Sequence, residues 1–280
     1  MRVSMSALLK AAQKGHYAIP AMNFIDFNSA KAYVEASEEK DLPLILAFAQ
    51  SHSDWLSLEE AAAIGRYFQE KAKTPIVLHL DHGQDSAFIK KAISLGFNSV
   101  MIDASLDSFD KNVRKTKEVV AYAQSHQVAV EAEIGFVVAN ENLENHKKIE
   151  SIYTEVSVAK AFFQETQVDS LAVSIGTAHG IYKGRPHLNF QRLHEIAQEL
   201  PIPLVLHGGS SSGNQNLKRC SQEGIAKINI FSDVMAAAYQ KSRDSAAYDY
   251  PSLNRAMIEA MKSVLIHYYE VFGTKKELSL

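Results

Sequence analysis

Three histidines share one sequence context, in which each follows an apolar run and precedes a glycine. They are His82 in "VLHLDHGQD", His179 in "SIGTAHG" and His207 in "PLVLHGGS". Three imidazoles that leave a fourth position open form a catalytic zinc arrangement. Each histidine taken singly could equally be a hydrogen-bonded core residue. The repetition favours a shared metal site.

The stretch around His82 allows packing, metal binding or acid–base chemistry. Asp81 directly precedes His82, and a carboxylate there could move protons. His79 lies two residues before Asp81, so strand alternation places these two side chains on one face and His82 on the other. We predict that His79, deeper in the strand, has a structural role.

Eight short apolar runs position these residues. They span 17–24, 42–49, 74–81, 98–104, 127–134, 168–175, 202–208 and 225–231. Continuous rather than alternating apolarity is typical of strands covered on both faces. Amphipathic segments at 57–73, 109–126, 155–166 and 188–200 separate several of the runs.

This alternation predicts an α/β fold, a (β/α)8 TIM barrel, with a doubly wound sheet as the alternative. We expect a single domain over residues 1–280, with extra C-terminal helices at about 248–280 that cover the barrel or meet a second subunit. Polar side chains end seven of the eight runs: Asn23, Asp81, His82, Asp103, Glu131, Glu133, His179, His207 and Asn229. In a barrel these residues gather at the C-terminal face, where active sites lie.

Composition excludes several classes of function. The net charge is −3 over 280 residues, so no broad basic face indicates a nucleic-acid partner. No apolar stretch approaches the roughly 18 residues of a membrane span. The single cysteine, Cys220, excludes an internal disulfide and a cysteine-based zinc site. With no signal peptide either, we expect a cytoplasmic protein.

Six ordered motifs resemble those of the class II, metal-dependent ketose-bisphosphate aldolases, which include fructose-1,6-bisphosphate and tagatose-1,6-bisphosphate aldolases. The motifs are "HLDHG", "SVMIDAS", "VEAEIG", "DSLAVSIGTAHGIYKG", "PLVLHGGS" and "AKINI". The similarity runs from about Ser4 to about Asp233. It implies a (β/α)8 barrel that cleaves a phosphorylated ketose to dihydroxyacetone phosphate and an aldehyde.

The resemblance also implies the roles of individual residues. Zn2+ would be held by His82, His179 and His207, and Asp81 would be the acid–base group at the C4 oxygen. Glu133 matches a carboxylate that can hold a second, displaced metal position. A monovalent cation, Na+ or K+, is common near the substrate loops of the family.

The second base of the family is a glutamate on a loop after the fifth strand, and the matching residue is Glu141. The surrounding sequence departs from the family pattern, because Val138–Ala139 replaces a Gly-Gly pair and Asn142–Leu143 replaces acidic residues. Glu144 is therefore the alternative, and a solvated loop carboxylate is a third interpretation.

We expect glycine-rich turns and strand ends to bind the substrate and its phosphate. "HGGSSSG" precedes a helix, so its backbone N–H groups could bind an anion. The predicted substrate-binding residues are Asn23, Gly180, Lys183, Gly208, Gly209, Ser210, Asn229 and Ser232. Ala49 and Phe231 replace smaller or polar family residues, which predicts a reshaped substrate end and leaves the sugar open.

Three alternatives to a zinc aldolase remain open. A zinc-dependent hydrolase could use a similar barrel, and the altered loop around Glu141 is compatible with a catalytically silent phosphosugar-binding protein. Lys227 could form a Schiff base, but such a mechanism does not need three histidines. The expected partner is a small phosphosugar, and analogy with the family predicts a homodimer or homotetramer.

Overall fold

Eight parallel strands form a closed barrel. The computed structural model describes residues 2–135, 153–177 and 186–276. The strands are β1 Ile19–Asn23, β2 Leu44–Ala49, β3 Ile76–Gly83, β4 Ser99–Ile102, β5 Ala129–Ile134, β6 Ser170–Val173, β7 Leu204–Leu206 and β8 Ile225–Ile230. Each strand pairs with the next, and β8 pairs with β1. The predicted (β/α)8 barrel is confirmed, and the doubly wound alternative is wrong.

Helices alternate with the strands on the outside. The α-helices of the described residues are α1 Met5–Gly15, α2 Phe27–Lys40, α3 Leu58–Lys71, α4 Ser86–Ser94, α5 Phe109–Ser125, α6 Val156–Thr166, α7 Phe190–Glu199, α8 Asn214–Gln222, α9 Ser232–Asp244 and α10 Tyr250–Phe272. One 3-10 turn, Gln50–His52, follows β2. Among these described helices, none has the length and apolar character to cross a membrane.

Local sequence determines where the helices begin. Ser57 caps α3 through a reciprocal pair, because its hydroxyl accepts from the Glu60 N–H and the Glu60 carboxylate accepts from the Ser57 N–H at 2.9 Å. Asp26 and Asp249 form the same capping box at α2 and α10. These caps satisfy N–H groups that have no partner within the helix.

Two apolar cores lie on the two faces of the sheet. Leu78 and Leu80 of β3 face the large core between strands and helices, whereas Val77 belongs to a smaller core inside the barrel, together with α1. The smaller core lies at the N-terminal ends of the strands, and α1 covers that end of the barrel. The side chains of His79 and Asp81 lie on the Val77 face, towards the opposite end.

Helix α10 completes the outer layer. It packs against α2, α8 and α9. The Tyr269 hydroxyl donates to the Pro43 carbonyl at 3.0 Å, and the Thr274 hydroxyl donates to the Ala18 carbonyl at 2.6 Å. This C-terminal segment therefore packs along the outer side of the barrel.

Candidate active site

Most of the predicted site residues that the structure describes line one cleft at the C-terminal ends of the strands. The cleft has a volume of about 580 Å³. Its lining includes Asn23, Asp81, His82, Glu133, Gly208, Ser210, Asn229 and Ser232. His207 is fully buried directly beside His82. The predicted residues His179, Gly180, Lys183, Glu141 and the alternative Glu144 lie outside the described residues.

His82 and His207 face each other across the barrel. His207 Nδ1 lies 2.8 Å from His82 Nε2. The second nitrogen of each ring meets a carboxylate: His82 Nδ1 lies 2.8 Å from Asp103 and His207 Nε2 lies 2.9 Å from Glu131. Carboxylates typically orient metal-binding histidines in this way. The two facing nitrogens are close enough together to share one ion of the size of Zn2+.

The backbone at the end of β3 brings His82 into the cleft. Its φ is +46°, and the register with β4 shifts between Leu80 and Gly83. The expectation that His82 and Asp81 lie on opposite faces is wrong, because their ligand atoms and that of His207 lie within 4.8 Å of one another. Gly83 is required, since a Cβ there would lie 2.6 Å from the Met101 carbonyl oxygen.

Glu133 and Asp103 form a second cluster around His82. The ligand atoms of these three residues also lie within 4.8 Å of one another. Glu133 Oε2 is buried and has no hydrogen-bond partner among the described residues. Burial, together with the charge of Asp103, raises the pKa of Glu133 to about 8. Burial alone would lower the pKa of His82, but nearby carboxylates, chiefly Asp81, raise it to about 9.

Two asparagines hold the Asp81 carboxylate in place. Asn23 Nδ2 donates to Asp81 Oδ2, and Asn229 Nδ2 donates to Asp81 Oδ1, both at 2.9 Å. Burial would raise the pKa of Asp81, but the charges of His82 and Lys227 hold it well below the usual range. The carboxylate is therefore ionised and fixed in orientation, as a general base must be.

A charged layer supports the site from below. Lys227 Nζ lies 2.8 Å from both oxygens of Glu131 and 3.3 Å from His79 Nε2. His79 Nδ1 bonds the Ser99 hydroxyl at 2.8 Å. Burial and the Lys227 charge lower the pKa of His79 to about 3, so its ring is neutral. Because Glu131 pairs with Lys227, the arrangement disfavours a free nucleophilic amine.

The glycine turn after β7 approaches β8 closely. Gly208 has φ +67°, a left-handed conformation that favours glycine. A Cβ at Gly209 would lie 2.8 Å from the Asn229 carbonyl oxygen and 2.6 Å from Ile228. Glycine at this position therefore allows the two backbones to meet at the floor of the cleft.

Asp233 of α9 holds the same turn in place through hydrogen bonds. It accepts from the Ser211 backbone N–H at 2.8 Å, from the Ser211 hydroxyl at 2.7 Å and from the Tyr268 hydroxyl. The Ser210 hydroxyl accepts from the Phe231 backbone N–H at 3.1 Å. Helices α9 and α10 thus fix the backbone of the predicted phosphate-binding turn.

Asp103 and Glu131 contact the rings of His82 and His207, a role that their position at polar strand ends does not by itself predict. The period-two spacing of Glu131 and Glu133 was a usable signal, because it places both carboxylates on one face of β5. His52 also lines the cleft, although its sequence context does not predict a site residue. It lies beyond β2, where strand alternation no longer applies.

Comparisons with known proteins agree with this geometry. A model of the class II fructose-bisphosphate aldolase family matches residues 3–277. The chain is 38% identical to a 6-phospho-5-dehydro-2-deoxy-D-gluconate aldolase of Bacillus licheniformis, covering 97% of this chain and 95% of that protein. It is 40% identical to the protein of the same name from Shouchella clausii, covering 84% and 80%.

A solved structure shares both fold and sequence. The YdjI aldolase from Escherichia coli K12 superposes with a TM-score of 0.89 and 31% identity, covering 98% of each chain. Class II aldolases are metal-dependent as a family, and the His, Asp and Glu clusters of the cleft offer suitable ligands. The closed barrel, the clustered side chains and these matches together show that the chain belongs to the class II fructose-bisphosphate aldolase family.

Proposed function

We propose that this protein is a Zn2+-dependent aldolase that reversibly cleaves a phosphorylated ketose to dihydroxyacetone phosphate and an aldehyde. One observation carries the proposal: His82 and His207 face each other beside the doubly anchored carboxylate of Asp81. The proposal is supported by the position of Asp81 and His82 in one cleft, with His207 directly beside His82.

The donor set fits a zinc ion. His82 and His207 would hold it together with His179, and the unpartnered Oε2 of Glu133 is a candidate for a displaced position. Neutral imidazoles suit the role because they leave the charge of the ion uncompensated. When bound, the ion supplies a Lewis acid that stabilises negative charge on substrate oxygens. A monovalent cation, Na+ or K+, is part of the proposal by family analogy.

Asp81 is the proposed base for the C4 hydroxyl. In cleavage it takes the hydroxyl proton as the C3–C4 bond breaks, and in condensation it returns the proton. Asn23 and Asn229 orient both carboxylate oxygens, so little reorganisation is needed when the substrate binds. Glu141, with Glu144 as the alternative, is the proposed base for the carbon-bound proton of dihydroxyacetone phosphate.

Backbone groups are the proposed phosphate ligands. The turn at Gly208, Gly209 and Ser210 lies against Ser232, the first residue of α9. A helix start and a glycine turn both present N–H groups to an anion. Gly180 and Lys183 complete the proposed set, and phosphate binding after the last two strands is frequent in this fold.

The identity of the substrate sugar can be tested directly. Candidates are fructose-1,6-bisphosphate, tagatose-1,6-bisphosphate and 6-phospho-5-dehydro-2-deoxy-D-gluconate, the compound in the names of the relatives. The zinc-loaded protein should be incubated with dihydroxyacetone phosphate and a panel of aldehydes, with products identified by mass and NMR. New carbon–carbon bonds are the expected result.

Two other results would replace the proposal. Release of inorganic phosphate from a phosphorylated ketose, without formation of dihydroxyacetone phosphate, would indicate the hydrolase. Tight phosphosugar binding without proton exchange at dihydroxyacetone phosphate would indicate a silent binding protein. A homodimer or homotetramer belongs to the proposal by family analogy, and a cytoplasmic location belongs to it because the sequence has a single cysteine.

A further inference from the structure

The turn after β7 contains a serine in a conformation that favours glycine. Ser211 has φ +59°, in the left-handed region. A residue with a Cβ adopts this region at an energetic cost, so the surrounding contacts must stabilise it. Ser211 directly follows Ser210, one of the proposed phosphate ligands. The contacts that hold Ser211 therefore also determine how the neighbouring peptide groups of the turn are oriented.

Both oxygens of the Asp233 carboxylate hold Ser211. Oδ2 accepts from the Ser211 backbone N–H at 2.8 Å, and Oδ1 accepts from the Ser211 hydroxyl at 2.7 Å. Asp233 is the second residue of α9 and directly follows Ser232, another proposed phosphate ligand. One carboxylate therefore joins the two segments of the chain that would bind the phosphate.

A tyrosine of α10 orients this carboxylate. The Tyr268 hydroxyl donates to Asp233 Oδ2. Tyr268 is buried, and its ring centroid lies 5.3 Å from that of Phe272. Burial and the bond to Asp233 raise the pKa of the hydroxyl, so it stays protonated and can donate. The preceding residue of α10 contacts the chain just beyond the turn, because His267 Nε2 lies 3.1 Å from Oδ1 of Asn214, the first residue of α8.

The charge of Asp233 gives Tyr268 a second effect on a bound anion. A carboxylate close to a phosphate repels it, and hydrogen-bond donors reduce that repulsion. Three donors share the negative charge of Asp233: the N–H and hydroxyl of Ser211 and the hydroxyl of Tyr268. Without the Tyr268 hydroxyl, the carboxylate would repel the phosphate more strongly and would hold the turn less firmly. Neither change involves Asp81 or the two facing histidines.

We infer that Tyr268 is a positioning residue that sets the affinity of the cleft for the phosphate of the substrate, acting through Asp233 and the turn at Ser210 and Ser211. The inference rests on the proposed function, because this turn is the proposed phosphate site. It makes α10 part of the binding machinery, although this helix lies beyond all six sequence motifs. Tyr268 should therefore affect the binding of dihydroxyacetone phosphate and leave the chemical steps unchanged.

The test compares two adjacent tyrosines of α10. Tyr268→Phe removes the hydroxyl that bonds Asp233, and the matched control, Tyr269→Phe, removes a buried hydroxyl that bonds the Pro43 carbonyl at 3.0 Å. Pro43 precedes β2, at the end of the barrel opposite to the cleft. Asp233→Asn, alone and combined with Tyr268→Phe, shows whether the hydroxyl acts through the carboxylate.

Two measurements use the zinc-loaded protein. Proton exchange is followed with dihydroxyacetone phosphate and with dihydroxyacetone, which has no phosphate. Calorimetry gives the Kd for dihydroxyacetone phosphate independently of any reaction. A structural defect would affect both exchange substrates, whereas a change in the phosphate site affects only the phosphorylated one.

We expect Tyr268→Phe to raise both KM and Kd for dihydroxyacetone phosphate about tenfold, the factor typical of one hydrogen bond. Its kcat, and its kcat/KM for dihydroxyacetone, should stay within about twofold of the unaltered protein, because no hydrogen bond to the reacting atoms is lost. Tyr269→Phe should leave all these quantities unchanged. The double variant should bind no more weakly than Asp233→Asn alone.

Three results would each overturn the inference: unchanged Kd in Tyr268→Phe, an equal loss with dihydroxyacetone, or an equal rise of Kd in Tyr269→Phe. Independent, additive losses in the double variant would show that Tyr268 does not act through Asp233. An unaltered protein that binds dihydroxyacetone phosphate but exchanges no proton would refute the proposed aldolase, and the Kd values would still decide the role of Tyr268.

Discussion

His207 Nδ1 lies 2.8 Å from His82 Nε2, although 125 residues separate the two histidines along the chain. Each ring is held at its other nitrogen by a buried or half-buried carboxylate, Glu131 or Asp103. The facing nitrogens are therefore oriented before any ion binds. Preorganised ligands of this kind raise metal affinity, because the protein does not lose conformational freedom on binding.

Removing the carboxylate that holds His82 should weaken metal binding. We expect Asp103→Asn to lower Zn2+ affinity about 10–100-fold, the usual cost of losing such an orienting partner. Competition with a chromogenic chelator measures this affinity. Asp107→Asn is the matched control, because that carboxylate pairs with Lys111 and Lys115 instead of a histidine. Equal Zn2+ affinity in Asp103→Asn and the unaltered protein would contradict the assignment.

Neutralising the proposed base should separate two steps of the reaction. We expect Asp81→Asn to lower kcat for ketose cleavage about 10²–10⁴-fold, the range for loss of a general base. Proton exchange of dihydroxyacetone phosphate should persist, since it does not involve the C4 hydroxyl. Parallel measurement of zinc content shows whether the metal is retained. A variant with full metal content and unaltered cleavage would remove Asp81 from the mechanism.

We expect the buried ion pair of Lys227 and Glu131 to stabilise the fold and to take no direct part in the reaction. Lys227→Met leaves the Glu131 charge without its lysine partner, and we expect it to destabilise the fold by about 3–5 kcal/mol. The double variant with Glu131→Gln should be less destabilised than Lys227→Met, because the unpaired charge is removed. Denaturant unfolding measures both. Borohydride trapping of dihydroxyacetone phosphate on Lys227 would show that the amine is a nucleophile after all.

The metal-free protein should lose stability as pH rises. The pKa of Glu133 is raised to about 8 and that of His82 to about 9. A raised folded-state pKa gives a contribution that is complete below the unfolded value and is lost as pH passes the folded value. Below about pH 6.5 the buried His52, His79 and His207 act in the opposite sense, because their pKa values are lowered. We therefore expect the free energy of unfolding to fall between about pH 7 and pH 9.

Glu133→Gln removes one of these titrations. Its unfolding free energy should change less between about pH 7 and pH 9, by about 1 kcal/mol. Urea unfolding of metal-free samples at several pH values gives the two curves. The control is Glu118→Gln, whose carboxylate lies on the surface and pairs with Lys90. Parallel curves for Glu133→Gln and the unaltered protein would show that Glu133 does not titrate in this window.

The strands could be predicted from sequence because burial on both faces leaves a continuous apolar run. The run 74–81, for example, corresponds to β3 at Ile76–Gly83. Parallel pairing alone predicts that the polar strand ends meet in one cleft. The side of β3 on which His82 lies could not be predicted, because the left-handed backbone of His82 depends on contacts with β4 that are distant in sequence.

Which site residues contact one another was harder to predict than which residues belong to the site. The pairing of His207 with Glu131 requires the barrel to close, which brings β5 and β7 to opposite sides of β6. The stacking of His52 on Phe231 joins the ends of β2 and β8 across β1. No local pattern in the sequence encodes contacts of this kind, because they depend on the radius and register of the whole barrel.

Anomalous diffraction from crystals grown with zinc tests the central claim most directly. We predict one strong zinc peak that lies about 2.0–2.1 Å from both His82 Nε2 and His207 Nδ1, the usual zinc–nitrogen distance. Zinc bound only elsewhere on the protein, with these two nitrogens still in contact with each other, would contradict the account.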